Sequence, residues 1–385
     1  MICGIRKSLY SHLATVLDSL VWSGLDLANE LVDLLKLLTQ ASGVAGYESN
    51  IGKMVCDELK GVVDSIATDS LGNVIALKKS GVKDAPKVMI VGHMDEIGLI
   101  VKYVDEKGFV YFERLGGIIG RSLFSQSVTI HTKKGPVSGL VFCKPAESPE
   151  EASKMPDLKA YFIDVGAKNR AQAGKMGIRV GDVVTFERVF RELGDGEVLA
   201  SKAFDDRVGV AVMIEMMKKL QRMKLGADVY GVGSVQEEVG ARGAKVAAYS
   251  ISPDLAIAVD ITPAQDIPGV AEKDQIVKLG AGPAIKVMDS AGGFLGLISH
   301  PKVRELLVSV AEEEKIPFQL EILTQGSTDA STIHLTREGV PSGVVSIPTR
   351  YAHSYEMVNI NDVANSVKLL VAAVKRVSKN FKIKQ

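Results

Sequence analysis

The stretch Asp228-Val-Tyr-Gly-Val-Gly-Ser-Val-Gln-Glu-Glu-Val-Gly240 restricts this chain more than any other. It starts as a β-run, with Val229, Tyr230, Val232 and Val235 separated by small residues, and stops in two adjacent carboxylates, Glu237 and Glu238. A buried strand that ends in paired negative charge is costly unless a cation waits there. A metal site has a use for both acids, one as ligand and the next as general base. This ending predicts a sheet whose strand ends converge on a cationic centre.

Other apolar runs end the same way. Lys87-Val-Met-Ile-Val-Gly-His93 is a continuous run typical of a strand buried on both faces, and it leads into Asp95 and Glu96. Asp254-Leu-Ala-Ile-Ala-Val-Asp260 ends in an acid, and Gly343–Pro348 is followed by Thr349-Arg-Tyr-Ala-His353. Asp205-Asp206 precedes a helix predicted over 210–220. In an open α/β sheet, ligands bind in the crevice outside the carboxyl ends of the strands, so these residues can meet on one rim.

Around these runs the pattern is α/β. Leu31, Leu34, Leu35 and Leu38 have helical spacing, a second helix is predicted over 48–59, and Leu71-Gly72-Asn73 is a hairpin turn within 66–77. From 98 to 197 the style changes to short β-runs (99–104, 109–114, 127–132, 137–142, 183–190) with glycine turns and no long helical pattern. That predicts a small β-barrel inserted into a discontinuous three-layer α/β/α domain formed by 25–97 and 198–385. The charged segment 147–159 reads as a mobile loop, and 157–165 returns as a strand. The glycine-rich 280–296 reads as irregular, and 325–331 opens a helix with Ser327 as N-cap. Helices are predicted over 300–315 and 363–377, and a strand over 318–323. Residues 1–24 read as an N-terminal extension of unassigned role, a weak targeting segment or, better, an ordinary extension or a start read too early.

Composition narrows the chemistry. The 385 residues carry 46 basic and 46 acidic side chains, so no net field favours nucleic acid or an anionic membrane. No apolar run is long enough to span a membrane. Cys3, Cys56 and Cys143 are far apart and form no CxxC, which fits a reducing, cytoplasmic setting and argues against thiolate ligation. Any metal must rest on His, Asp and Glu. Such a sulfur-free set suits two divalent ions, Zn, Co or Mn, about 3.5–4 Å apart with one carboxylate between them.

Taken singly, each member has a plainer reading: His93 as a satisfied polar residue, Asp205 as a helix cap, Asp260 as a turn cap, and Glu237-Glu238 as a solvated strand end. Together these weaken, because Asp95 is placed to accept the second ring N–H of His93, as the partners of metal-bound histidines do. His12, His131, His300 and His334 lack acid-rich strand ends and read as ordinary surface or core residues.

Gly92-His-Met-Asp-Glu-Ile-Gly98, Ala203-Phe-Asp-Asp-Arg207, Val235-Gln-Glu-Glu-Val-Gly240, Ala258-Val-Asp-Ile-Thr262 and Arg350-Tyr-Ala-His-Ser354 resemble the motifs of the tetrahedral aminopeptidase family, which includes glutamyl and deblocking aminopeptidases. The resemblance runs from about residue 25 to the end. It implies that His93 and Asp260 hold one ion, Glu238 and His353 the other, and Asp205 both. It also implies Glu237 as general base and Asp95 as the residue orienting His93. Spacing leaves open whether Asp205 or Asp206 bridges. The resemblance further implies peptide substrates with a free N-terminus and a homo-oligomer, a tetrahedral dodecamer of dimers joined through the β insert. Competing readings are a carboxypeptidase or amino-acid deacylase on nearly the same metal site, a two-carboxylate glycosidase, for which adjacent acids are badly placed, and a non-enzymatic assembly protein. Neither 280–296 nor 325–331 carries a cluster of cations, so a neutral or apolar first residue is expected.

Overall fold

The computed structural model describes residues 24–291 and 295–381. The N-terminal extension, with its targeting reading, Cys3 and His12, lies outside the described residues.

The chain opens with α1 (Gly24–Gln40), which buries Leu27, Leu31, Leu34, Leu35 and Leu38 along one stripe. Each such side chain taken out of water stabilises by roughly 1.5–3 kcal/mol. Helix α2 (Ser49–Leu59) follows, then the expected antiparallel hairpin of β1 (Ser65–Thr68) and β2 (Val74–Lys78). β3 (Lys87–His93) comes next. Its alternate residues serve two cores: Val88 and Ile90 face one, Met89 and Val91 the other.

Six strands then close into a barrel: β4 (Gly98–Val104), β5 (Val110–Leu115), β6 (Ser127–Thr132), β7 (Gly135–Cys143), β8 (Tyr161–Asp164) and β9 (Val183–Phe186), in the order β4-β5-β8-β7-β6-β9. Inward residues such as Leu99, Val101, Val128, Ile130, Val141, Ile163 and Val184 fill it. Two short helices interrupt the β style. One turn, α3 (Pro149–Ala152), sits in the segment read as a loop. α4 (Arg170–Met176) starts where the Asn169 side chain accepts the Gln172 N–H. Helices this short show no periodicity, so the sequence hides them.

The main sheet resumes with β10 (Arg191–Leu193) and β11 (Val198–Ser201), then α5 (Phe204–Leu220), β12 (Asp228–Ser234), α6 (Arg242–Ile251) and β13 (Leu255–Pro263). Next come β14 (Ala284–Ala291), β15 (Leu295–Ile298), α7 (Pro301–Glu313), β16 (Gln319–Ile322), β17 (Gln325–Gly326), α8 (Ala330–Ile333), β18 (Ser342–Arg350), β19 (Glu356–Asn359) and α9 (Ile360–Arg376). The sheet order is β1-β2-β12-β3-β13-β18-β19-β11-β10, with β14 also paired to β18 and carrying β15, β16 and β17. At its centre β12, β3, β13 and β18 are parallel. Helices α1, α2, α5, α7 and α9 pack one face, α6 and α8 the other. This is the expected three-layer α/β/α domain with an inserted β-barrel.

Two local expectations fail. Most of the described part of 280–296 is not irregular, since it forms β14 and the start of β15, which pair antiparallel with Met288 opposite Ile298. Gly282 and Gly296, at φ +93° and +152°, give it the look of a loop. Ser327 is not a cap, because α8 begins at Ala330 with Asp329 before it. Among the described residues no helix is long and apolar enough to cross a membrane.

Candidate metal centre

The parallel register sets the first pair of ends side by side: Ser234, last in β12, lies opposite His93, last in β3. Glu237 and Glu238 follow just beyond. Asp260 is not a strand terminus as expected, for β13 runs on to Pro263, but it lies opposite Ser346 of β18 within the same group of strands. His353 stands in the turn between β18 and β19, and Asp205 and Asp206 open α5. The approach of α5 to β3 requires glycine at 92, and the Asp206 side chain requires glycine at 209. A Cβ on Gly92 would come 2.7 Å from the Gly209 carbonyl carbon, and one on Gly209 would come 2.3 Å from an Asp206 oxygen.

Asp205 lies between the two histidines. Its Oδ1 is 3.0 Å from His93 Nε2, and its Oδ2 is 3.0 Å from His353 Nε2. His93 Nε2 is also 3.9 Å from Glu237 Oε2 and 4.0 Å from Asp260 Oδ1, and His353 Nε2 is 3.6 Å from Glu238 Oε1. Asp206 also comes near His93 and Asp260. Its oxygens, however, already accept the His93 N–H at 3.0 Å and the Gly209 N–H at 2.9 Å, which makes it a fully buried strut beneath the ligand group. Asp205 is therefore the acid that faces both imidazoles.

The second nitrogens of both rings are fixed. His93 Nδ1 is 3.2 Å from the Asp95 carbonyl and 3.4 Å from its carboxylate Oδ1. His353 Nδ1 is 2.8 Å from the carbonyl of Gly117, which lies in the barrel loop after β5. A Cβ on Gly117 would stand 2.7 Å from that nitrogen, and one on Gly116 2.8 Å from Glu238 Oε2. The barrel thus reaches the site directly. Arg188, just past β9, adds a hydrogen bond to the Ser354 carbonyl.

Three comparisons place the chain among aminopeptidases. Residues 72–369 match the family model described as M42 glutamyl aminopeptidase. The chain is 38% identical over 348 residues to a lysyl aminopeptidase of Pyrococcus furiosus, covering 88% of this chain and 95% of that protein. The chain belongs to the M42 glutamyl aminopeptidase family. An aminopeptidase of the archaeon Desulfurococcus kamchatkensis superposes on it with a TM-score of 0.87 at 44% identity, over 92% of this chain and 97% of the other. The Pyrococcus horikoshii TET1 peptidase, described as able to assemble into a tetrahedron or a large octahedral shell, does so at 0.79 and 30% identity, over 90% and 99%.

In this M42 chain the sequence-predicted residues His93, Asp95, Asp205, Glu237, Glu238, Asp260 and His353 all meet at one place. The other histidines among the described residues do not join them: His131 bonds Thr185, His300 caps α7, and His334 bonds the Ala330 carbonyl. Sequence reasoning missed the carboxylates that hold the site by its backbone. Asp95 accepts the N–H groups of Glu237 and Glu238 at 2.9 and 3.0 Å, beyond its expected role toward His93. Glu48 accepts the Gln236 N–H at 3.0 Å, and Glu356 accepts those of His353 and Asp205 at 2.9 and 3.1 Å. Buried Lys202 pairs with Glu96 at 2.6 Å, and Arg207, wholly enclosed, donates to the carbonyls of Leu38 and Gly43. Together they pin the loop after α1 beneath the site. Ala203, Gln236 and His353 take left-handed φ values of +57°, +58° and +59°, strain of the kind that gathers at functional sites.

The electrostatics call for cations. Burial pushes the Glu237 and Asp260 carboxyls well above the ordinary range despite His93, and it raises Glu238 to about 7 despite His353. Burial opposes charge on both imidazoles too. The carboxylates outweigh it: Asp205 and Asp95 raise His93 well above its usual value, and Glu238 and Asp205 raise His353 to about 11. Glu238 Oε1 is buried with no hydrogen-bond donor. Two imidazoles and a surplus of carboxylates, one with an orphaned oxygen, form a donor set that fits borderline divalent ions.

Proposed function

We propose that this M42 aminopeptidase removes N-terminal residues from peptides with two divalent ions, Zn or Co in first place. His93 and Asp260 would hold one ion, Glu238 and His353 the other, and Asp205 both. The placement of Asp205, with one oxygen toward each histidine at 3.0 Å, is the observation that carries this reading.

When bound, such ions supply Lewis acidity toward the scissile carbonyl and a water acidic enough to attack near neutral pH. Glu237, 13% exposed at its side chain and 3.9 Å from His93, takes the proton of the attacking water and passes it to the leaving amine. Asp95 orients the His93 ring and holds the Glu237 and Glu238 backbone, so base and ligand keep one geometry. The excess of carboxylates, with Asp329 close enough to raise the Glu237 and Asp260 carboxyls, favours a free, cationic α-amino group, which supports exopeptidase action.

Lys286, the single cation of 280–296, is buried and bonded to Glu321 and Thr262, which supports a neutral rather than acidic first residue. For assembly, the barrel presents Phe124 and Phe142 as an exposed edge-to-face pair, with exposed Leu140 two residues before Phe142. That patch supports dimerisation through the insert, and the TET1 likeness supports a tetrahedral dodecamer of such dimers.

The test is a panel of free and N-blocked aminoacyl substrates, run with EDTA and then with zinc or cobalt rescue. Cleavage confined to free N-termini, lost with chelator and restored by metal, is the expected outcome. Cleavage only of blocked or C-terminal substrates would move the function to a deacylase or carboxypeptidase.

A further inference from the structure

We propose that Glu356 is the positioning residue for the half of the centre built on Asp205 and His353, an inference that rests on the metal-site reading above. The topology puts it there. Glu356 is the first residue of β19 and pairs with Ser201, the last of β11. β11 leads into α5 and Asp205, while the turn bearing His353 leads into β19. Glu356 therefore stands where the chains carrying the two residues meet, and its side chain can reach the backbone of both.

Its two oxygens are divided between them. Oε1 accepts the His353 N–H at 2.9 Å and Oε2 the Asp205 N–H at 3.1 Å. The side chain touches neither imidazole nor carboxylate of the ligands, so it acts through their backbones. Both segments need holding: His353 is at φ +59°, and Ala203, which caps α5, is at +57°. Glu356 is 2% exposed and, among the described residues, has no ion-pair partner within 4 Å. A buried acid without an ion pair is costly, and this one is the acceptor for two backbone N–H groups that an apolar side chain would leave unpaired. Its use is to set the backbone from which Asp205 and His353 project.

The arrangement has a counterpart across the site. Asp95 divides its oxygens between the Glu237 and Glu238 N–H groups in the same way. Two carboxylates, Asp95 and Glu356, thus hold by their backbones four of the residues proposed to face the ions.

Glu356→Gln tests this, since it keeps the volume but turns an amide NH2 toward one of the two N–H donors. Metal-free wild type, Glu356→Gln and Glu356→Asp are titrated with Co2+, with ions counted and the visible cobalt spectrum followed. Glu356→Gln should bind the second ion about 10–100-fold more weakly, the usual cost of losing a partner behind a ligand. Its cobalt spectrum should change, and kcat should fall with KM little altered. Glu356→Asp, which keeps two acceptor oxygens, should recover part of the affinity. Glu215→Gln, an equally buried acid of α5 paired with Lys218 at 2.9 Å, serves as control and should change Tm but neither affinity nor spectrum. Wild-type cobalt affinity and spectrum in Glu356→Gln, or an equal loss in Glu215→Gln, would overturn the proposal. A wild-type protein that bound no divalent ion would overturn the metal-site reading and this proposal with it.

Discussion

Asp95 holds Glu237 by its backbone: the carboxylate accepts the Glu237 N–H at 2.9 Å while its Oδ1 lies 3.4 Å from the His93 ring. One buried side chain thereby fixes the His93 ring and the backbone of the proposed base. Because Glu237 is held through its N–H, its carboxylate is free to carry a proton. Replacing that carboxylate should remove chemistry without removing the site.

Glu237→Gln should therefore keep both ions and lose turnover by about 10²–10⁴-fold, the usual weight of a general base. Elemental analysis beside kcat measures this. Near-wild-type activity would take Glu237 out of that role.

The barrel loop should matter to the ions as well. In Gly117→Ala the added Cβ would press on His353 Nδ1 from 2.7 Å and displace the ring from the Gly117 carbonyl. Loss of a partner behind a ligand costs about 10–100-fold in metal affinity. Cobalt titration should show that loss for one ion while the other binds as in wild type.

Legibility followed from chemistry. The continuous apolar run of β3 and the glycine-punctuated runs of the barrel display their burial in sequence, and His93, Glu237, Glu238 and His353 stand out as polar residues where apolar runs stop. Asp205 and Asp206 were told apart only by what their oxygens face: two imidazoles for one, two backbone N–H groups for the other. Glu356 and Glu48 were invisible, because a carboxylate that accepts backbone N–H groups from distant segments has no local signature. The β14–β15 pair was masked by glycines at positive φ, and Gly117 by the absence of any side chain to read.

A pH effect independent of the metal centre is expected at Asp362. This buried acid accepts the Gly280 and Gly282 N–H groups at 2.7 Å each. Burial is the larger influence and pushes its pKa up to about 6 from the ordinary 3.8, although the two amides pull downward. The fold thus favours the neutral acid. Its stabilising contribution is full below the unfolded value and is lost as pH rises through about 6, amounting to at most about 3 kcal/mol. In EDTA, Tm of Asp362→Asn minus that of wild type should increase between pH 4 and pH 7. A flat difference would refute the assignment.

If Asp205 joins two ions as proposed, a count of bound ions shows it. Equilibrium dialysis against zinc or cobalt, with elemental analysis, should give two per chain for wild type and one for His353→Ala. Asp205→Asn, which weakens both positions, should hold fewer than two and turn over no peptide. One ion or none in wild type, or two retained in Asp205→Asn, would rule out Asp205 as the shared ligand.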